Sequence, residues 1–495
     1  MSRGAGDFRA GLGRSGRPRG GGRTGGGSGR RRRASAARRL ALRVLHAVDA
    51  DGAYANLALD KALEVSRLTR ADRALATELV YGVTRWRGRL DHVIDHLSTT
   101  PAAELGPWIR NILRMGVYQL LHLDRIPAHA VVSEGVALAR EFGHRGTAAL
   151  ANAVLRRAVA EARRVPLPGP EAGDARRLAV EGSHPEWLVA RWLEQFGSED
   201  TERLCRVDNE PAPLTLRVNL SRTTPAEAAA ALAREGLRTV PGRLFPEALV
   251  AGEGPPLRGL EAYRCGMVSV QDEGAMVASR VLAPEPGWLV VDACAGAGGK
   301  TTHLAELMRN RGRVVAVDPY GHKLRLLEGA ARRLGLGIIE TRRADARTLP
   351  TSELAGRADA VLVDAPCSGL GVLRRRPDLR WRLKEEDLPR LVKLQKELLR
   401  AASACVRPGG VLVYSTCTIE RSENQEVVEG FLAESREFTW DDAAERLAGC
   451  GTGGLTAFSE GPYLTSGPQS GGPDGFFVAR LVRTGGSGRP RAADV

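Results

Sequence analysis

Disulfide frameworks and zinc ribbons are not indicated by this 495-residue sequence, because its seven cysteines are odd in number and none forms a C-x-x-C pair. We expect free thiols at Cys205, Cys265, Cys294, Cys367, Cys405, Cys417 and Cys450. No apolar run approaches the roughly 20 residues of a membrane span, and the N-terminus lacks the apolar core of a signal peptide. We therefore expect a cytoplasmic protein with no membrane partner.

Acidic residues are almost missing from the N-terminus, although the net charge of the whole chain is +14. Residues 1–39 contain twelve arginines and one acid, Asp7, so eleven of the fourteen excess charges lie there. Such a Gly/Arg-rich stretch buries too little apolar surface to fold, which predicts a disordered basic tail over 1–36 that attracts phosphates. An arginine-biased genome or a misassigned start codon would also explain it.

Periodicity divides the rest of the chain into three folded units. Apolar stripes at helical spacing predict an all-α bundle over 37–165, followed by a Pro/Gly-rich linker over 166–183. A helix–strand–helix pattern predicts a small α+β unit over 184–274. Strands alternate with amphipathic helices over 275–483, which predicts a Rossmann-like α/β sheet, and 484–495 reads as a polar tail.

The stretch "VVDACAGAGGKTTHLAELM" predicts a strand, a Gly-rich turn and a helix, an arrangement that suits nucleotide binding. Three templates compete for it. The P-loop pattern requires glycine where Cys294 stands, and a dinucleotide G-x-G-x-x-G pattern that starts at Gly296 fails at Thr301. The pattern D-x-x-x-G-x-G fits from Asp292 to Gly298, and such a turn holds the aminoacyl end of S-adenosylmethionine in methyltransferases.

Four successive predicted strands end in aspartate: Asp292, Asp318, Asp345 and Asp364. Asp318 lies about twenty residues past the turn, where a carboxylate can accept hydrogen bonds from ribose hydroxyls, and Asp345 is placed for the adenine end. A single aspartate at a strand end could equally be a helix N-cap. Four of them at the carboxyl edge of one sheet favour a ligand site, because such sheets bind ligands at that edge.

Two cysteines follow predicted strands at the same edge, Cys367 in "VLVDAPCSGLG" and Cys417 in "VLVYSTCTIE". Carbon 5 of cytosine becomes nucleophilic only after a thiolate adds to carbon 6, and a hydrogen bond to the ring nitrogen, for which Asp364 is the candidate, makes addition easier. One thiol would add. A small core side chain is the simpler interpretation for Cys405 and Cys205.

Three segments resemble the motifs of the RNA 5-methylcytosine methyltransferases: "DACAGAGGKTT", "DAPCSGLGVLRRRPDLRW" and "YSTCTIERSENQEVV". This resemblance covers roughly 185–483. The helical segments "DGAYANLALDKAL", "DRALATELVYGV" and "ANAVLRRAV" resemble the NusB-like RNA-binding domain. The combination implies that the substrate is a cytosine of 16S ribosomal RNA, in unassembled or early small-subunit RNA, and it implies no obligate protein partner.

The resemblance also implies residue roles. By this resemblance Cys417 is the nucleophile and Cys367 assists product release; the catalytic role expected of Asp364 comes from the chemistry of cytosine activation. The family's usual turn is C-A-A-P-G-G-K, so Gly296 and Ala297 depart from it and predict a looser loop. The implied cofactor is S-adenosylmethionine, with contacts at Cys294, Ala295, Gly296, Ala297, Gly298, Gly299, Lys300, Asp318, Asp345 and Asp364; no metal is implied.

An arginine-rich stretch directly follows the Cys367 segment. Its arginines are interleaved with a tryptophan, and this pattern predicts that the stretch contacts substrate phosphates and stacks on a base. The alternative interpretation is a helix face exposed to solvent. The members of the stretch are Arg374, Arg375, Arg376, Arg380, Trp381 and Arg382.

Two other functions compete with methyl transfer. A P-loop ATPase would place "GGKTT" on phosphates, and a non-catalytic RNA chaperone or antitermination-type factor would keep the fold only as a scaffold. Neither function has a use for the two thiols.

Overall fold

The computed structural model describes residues 34–447, 461–467 and 473–485. The basic tail up to residue 33, Cys450 and the polar tail beyond residue 485 lie outside these ranges. No helix within the described ranges is both long enough and apolar enough to cross a bilayer.

Seven helices form the N-terminal bundle. Their apolar stripes meet in one core, where Leu42, Leu79, Leu113 and Leu155 are fully buried. The third helix begins where the Thr69 hydroxyl accepts a hydrogen bond from the backbone of Asp72, a regular N-cap. The helices are α1 (Ala36–Ala50), α2 (Ala55–Glu64), α3 (Arg70–Arg85), α4 (Arg87–Leu97), α5 (Pro107–His122), α6 (Ala128–Phe142) and α7 (Arg145–Glu161).

Two further helices follow the bundle. Helix α8 (Asp174–Glu181) lies within the predicted linker, and α9 (Glu186–Val207) is broken at Gly197, whose φ is 77°. Apolar side chains of both helices pack against Leu370, Leu373 and Ile419, which flank the two cysteine loops. The polypeptide between the bundle and the sheets is therefore part of the support of the cysteine loops.

A small antiparallel sheet comes next, in the strand order β2-β3-β1-β4. Helix α10 covers it, and its start is fixed by a capping box between Thr224 and Glu227. The elements are β1 (Leu214–Val218), α10 (Pro225–Arg234), β2 (Thr239–Pro241), β3 (Ala248–Ala251), α11 (Glu261–Arg264) and β4 (Val268–Val270).

The largest sheet belongs to the C-terminal unit and is flanked by helices. Its strands are β5 (Leu289–Asp292), β6 (Arg313–Val317), β7 (Ile339–Arg342), β8 (Ala358–Asp364), β9 (Val406–Thr416), β10 (Phe438–Asp441), β11 (Tyr463–Ser466) and β12 (Phe476–Arg483). Its helices are α12 (Glu273–Leu282), α13 (Gly299–Leu307), α14 (Gly321–Leu334), α15 (Leu379–Arg382), α16 (Leu388–Ser403) and α17 (Gln425–Glu434).

The strand order is β10-β12-β9-β8-β5-β6-β7, with β11 paired to β12. Strands β5 to β9 pair in parallel, as predicted, whereas β10, β11 and β12 add an antiparallel edge. The chain first extends the sheet from β5 to β7 and then returns to lay β8 on the other side of β5. The carboxyl ends of β5 and β8 therefore border the crevice in which open α/β sheets bind ligands.

Candidate active site

The Gly-rich turn joins β5 to α13 and is shaped by glycine. Gly298 adopts a left-handed φ of 89°, and a Cβ built there would lie 2.2 Å from Leu327 Cδ1. A side chain at this position would therefore collide with α14 and strain the backbone. Ala297 and Gly299 are exposed, so the turn presents its backbone to the crevice.

Asp292 and Asp318 lie on either side of this turn. Asp292 is buried and accepts a hydrogen bond of 2.7 Å from the Thr301 hydroxyl, and burial raises its pKa to about 7. Its Oδ1 has no hydrogen-bond partner among the residues described. Asp318 accepts bonds from the backbone nitrogens of Gly296, at 3.0 Å, and Tyr320, at 2.8 Å, so its carboxylate also fixes the turn.

Asp345 lies beyond β7 and behaves as a helix cap. It accepts a hydrogen bond of 2.9 Å from the backbone nitrogen of Arg347 at the start of a 3-10 turn. Hydrogen bonds from the Arg347 side chain lower the pKa of this carboxyl below its ordinary value. The contacts of Asp345 are therefore those of a helix N-cap, the alternative interpretation of a single aspartate at a strand end.

Asp364 ends β8 and forms an ion pair with Lys300 from the first turn of α13. The Lys300 Nζ lies 2.8 Å from Asp364 Oδ2, while the Ser415 hydroxyl donates to Oδ1 at 3.0 Å. Burial disfavours the lysine charge, but Asp364 outweighs it and raises the pKa of Lys300. The pair therefore joins the Gly-rich turn to the two strands that precede the cysteines.

The two cysteines meet at the same edge. Cys367 and Cys417 are 50 residues apart in sequence, yet their Sγ atoms are 3.5 Å apart. The hydrogen bond between the two thiols lowers the pKa of Cys417, assisted by the charges of Lys300 and Arg376 against the opposing effects of burial and of the Asp364 charge. The same hydrogen bond, together with burial, raises the pKa of Cys367. Cys417 is accordingly the thiol held closer to its thiolate form.

The other described cysteines do not share this environment. Cys205 and Cys405 are buried in apolar clusters, as predicted, and burial raises their pKa values to about 12 and about 11. Burial also raises the pKa of Cys294 in the Gly-rich turn. Within the described ranges, no group of three or more His, Cys, Asp or Glu side chains is arranged to hold a metal.

Most of the arginine-rich stretch is bonded within the protein, and its contacts to substrate phosphates stay a prediction. Arg374 and Arg375 form ion pairs with Asp474, and Arg375 also pairs with Asp272. Arg380 is fully buried, and its guanidinium donates to the carbonyl oxygens of Ser183 and Asp208 and to Asn209 Oδ1 at 3.0–3.1 Å.

Trp381 and Arg382 dock on the helical bundle instead. The Trp381 indole donates to the carbonyl oxygen of Thr84 at 2.8 Å, and the Arg87 guanidinium lies 5.4 Å from its ring centroid. Arg382 lies over the Tyr54 ring at 4.1 Å. In this structure the partners of Trp381 belong to the protein, and its stacking on an RNA base stays a prediction.

Arg376 differs from its neighbours. It is exposed, and its guanidinium forms no hydrogen bond or ion pair with the part of the chain that the structure describes. Its charge acts on both Cys417 and Tyr81 of α3, so it lies between the bundle and the cysteine pair. Of the predicted phosphate contacts, Arg376 has the exposure that this role requires.

Sequence reasoning missed the residues that hold the cysteine loops. From α9, the Gln195 amide donates to the carbonyl oxygen of Ile419 at 2.9 Å, and Arg191 forms an ion pair with Glu420. Ser368 and Glu423 are buried between the loops and bonded to each other. Glu423 stands in the quoted segment "YSTCTIERSENQEVV", but no pattern in that segment indicates what its side chain contacts.

Family comparisons match all three folded units. The profile described as "16S rRNA methyltransferase RsmB/F" matches residues 279–482, "NusB family" matches 35–160, and the "Methyltr_RsmF/B-like, ferredoxin-like domain" matches 184–256. The predicted fold class, a helical NusB-like bundle, a small α+β unit and a methyltransferase sheet, is thereby confirmed.

Similar proteins match along nearly their whole length. The "Probable ribosomal RNA small subunit methyltransferase B" of Bacillus subtilis is 38% identical over 90% of this chain and 99% of its own. The protein of the same description from Synechocystis is 36% identical over 90% and 99%. The crystal structure of PH0851 superposes with a TM-score of 0.76 and 28% identity, covering 89% of this chain and 98% of that one. These likenesses place the chain in the 16S rRNA methyltransferase RsmB/F family.

Proposed function

We propose that this chain methylates carbon 5 of a cytosine in 16S ribosomal RNA, with S-adenosylmethionine as methyl donor and a covalent Cys417–cytosine intermediate. The observation that carries the proposal is the 3.5 Å separation of Cys367 and Cys417 Sγ at the carboxyl edge of the sheet. Two thiols are needed there only if both steps of a covalent reaction, addition and elimination, involve sulfur.

The residues around the two thiols support a different role for each, with Cys417 in addition and Cys367 in release. Cys417, with its lowered pKa, adds to carbon 6 as the thiolate and makes carbon 5 nucleophilic. Lys300 holds the Asp364 carboxylate in place, where it can accept a hydrogen bond from the amino group of the cytosine. After methyl transfer, water takes the proton from carbon 5, the electron pair of that C–H bond restores the ring double bond, and the bond from carbon 6 to sulfur breaks to return the Cys417 thiolate. Cys367, whose raised pKa keeps it protonated, assists that release by donating a hydrogen bond to the departing sulfur.

The residues of the crevice fit S-adenosylmethionine. When bound, this cofactor supplies an electrophilic methyl group. The buried Asp292 Oδ1 lacks a donor among the described residues, and a ligand ammonium group would provide one. The exposed backbone of Ala297 and Gly299 suits the close approach of the aminoacyl end, and Asp318 and Asp345 end the next two strands along the sheet.

The test is a denaturing gel of single variants incubated with unmodified 16S rRNA and S-adenosylmethionine. Cys367→Ala should add and methylate but fail to release, so a protein–RNA adduct accumulates. Cys417→Ala should lose methyl transfer and form no adduct, while it still binds RNA and cofactor. An adduct from Cys417→Ala instead would reverse the two roles, and no adduct from either variant would remove the covalent mechanism.

The competing functions receive less support. A P-loop ATPase does not agree with a methyltransferase family match, and Lys300, which would contact phosphates in that reading, is bonded to Asp364. A catalytically silent scaffold predicts RNA binding without transfer of a labelled methyl group. A cytoplasmic location follows from the proposal, since reduced thiols and a ribosomal RNA substrate are both found there.

A further inference from the structure

The dipeptide Glu423–Asn424 lies directly beneath the two cysteine loops and has no role in the chemistry proposed above. Both side chains are essentially fully buried, at 0% and 1% exposure. A buried carboxylate without a cationic partner is costly unless several donors satisfy it. The side chain of Glu423 is bonded to the loop that carries Cys367, and the side chain of Asn424 is bonded to the loop that carries Cys417.

Glu423 holds the loop that carries Cys367. Its Oε2 accepts hydrogen bonds from the backbone nitrogen of Ser368, at 2.9 Å, and from the Gln395 amide, at 2.8 Å, and its Oε1 accepts from the Ser368 hydroxyl. The Gln395 amide also donates to the carbonyl oxygen of Pro366 at 3.0 Å. The residues on both sides of Cys367 are thus tied to one carboxylate.

Asn424 holds the loop that carries Cys417. Its Nδ2 donates to the carbonyl oxygen of Thr418 at 3.0 Å, and its Oδ1 accepts from the Thr416 hydroxyl. The residues on both sides of Cys417 are therefore tied to one amide. A 2.7 Å hydrogen bond between the Thr418 and Ser368 hydroxyls joins the two loops to each other.

We propose that Glu423 and Asn424 are paired positioning residues, of which Glu423 sets the place of Cys367 for product release and Asn424 sets the place of Cys417 for addition. The inference rests on the proposed function. Because the two residues are adjacent and equally buried, a general loss of packing would affect both steps alike, whereas positioning predicts opposite kinetic defects. That contrast is what the experiment measures.

Wild type, Glu423→Ala and Asn424→Ala are compared in single-turnover and multiple-turnover methylation of 16S rRNA, with adduct followed on denaturing gels. Glu423→Ala should keep its single-turnover rate, lose about tenfold or more in multiple turnover, and accumulate adduct. Asn424→Ala should lose about tenfold or more in single turnover and accumulate none. Gln425→Ala is the matched control, since this buried neighbour makes no side-chain bond to either loop within the described residues.

Two further variants keep the test valid if Glu423→Ala fails to fold: the conservative Glu423→Gln, and Gln395→Ala at a bonded partner of Glu423. Glu423→Gln keeps one oxygen for the Ser368 backbone and offers an amide to its hydroxyl, so release should be partly restored relative to Glu423→Ala. If Glu423→Ala does not fold, Gln395→Ala replaces it and should accumulate adduct too, because it frees Pro366 and loosens Glu423. Equal adduct from Glu423→Ala and Asn424→Ala overturns the assignment.

Failure of the inference and failure of the proposed function give different gels. Cys367→Ala is run beside the other variants. If it accumulates adduct but neither Glu423→Ala nor Gln395→Ala does, the positioning roles are wrong and the covalent mechanism stands. If Cys367→Ala gives no adduct, the proposed function itself fails, and the inference fails with it.

Discussion

Arg380 and Arg376 are four residues apart in one arginine-rich stretch, and the structure gives them opposite consequences on substitution. Arg380→Ala removes a fully buried guanidinium and leaves three acceptors, on Ser183, Asp208 and Asn209, without their donor. At about 1–1.5 kcal/mol for each lost bond, the loss is roughly 3–5 kcal/mol. For a chain of 495 residues, a change of that size lowers the thermal midpoint by roughly 3–5 °C.

Arg380→Lys separates charge from geometry. It keeps the charge, but one ammonium on a flexible stem cannot reproduce the planar fork that reaches all three acceptors. Its midpoint should therefore lie between those of wild type and Arg380→Ala.

Arg376→Ala should leave stability within about 0.5 kcal/mol, because the side chain is exposed and has no bonded partner in the described chain. It should instead weaken RNA binding and reduce the slope of log affinity against log salt by about one, as expected for one phosphate contact. Calorimetric midpoints and filter binding at several salt concentrations measure both effects. A large fall in midpoint for Arg376→Ala, or weakened RNA binding with unchanged stability for Arg380→Ala, would refute the reasoning.

Two further predictions concern the cofactor crevice and the bundle. Burial raises the folded-state pKa of Asp292 to about 7, so the stability that this carboxyl contributes is full below its unfolded pKa of about 4 and is lost as the pH rises through 7. The thermal midpoint of Asp292→Asn should therefore change less between pH 5 and pH 8 than that of wild type. Parallel pH profiles of the two midpoints would contradict this prediction. A truncated chain that begins at Gly182 keeps the Gly-rich turn but loses the bundle on which Trp381 docks. It should therefore still bind S-adenosylmethionine, as measured by calorimetry, but methylate rRNA less efficiently. If the truncated chain folds but does not bind the cofactor, the bundle supports the crevice and the prediction is wrong.

The sequence alone was sufficient for features that depend on local pattern. Alternating strands and helices predicted the parallel core of the sheet, and in such a sheet the strand ends meet at one edge. Asp292, Asp364, Cys367 and Cys417 could therefore be assigned to that edge from their places after strands. Resemblance to known motifs then implied different roles for the two thiols, which stay predictions and which spacing alone could not suggest.

Tertiary structure decided which side chains face solvent and which hold the site together. Arg376 and Arg380 look alike in sequence, yet Arg380 is bonded to Ser183, which is 197 residues away along the chain. The partners of Glu423 are equally remote, since Ser368 precedes it by 55 residues. Local periodicity reports only on neighbours within a few residues, whereas the burial and bonding of these polar groups depend on how the bundle, the linker helices and the sheet pack against one another.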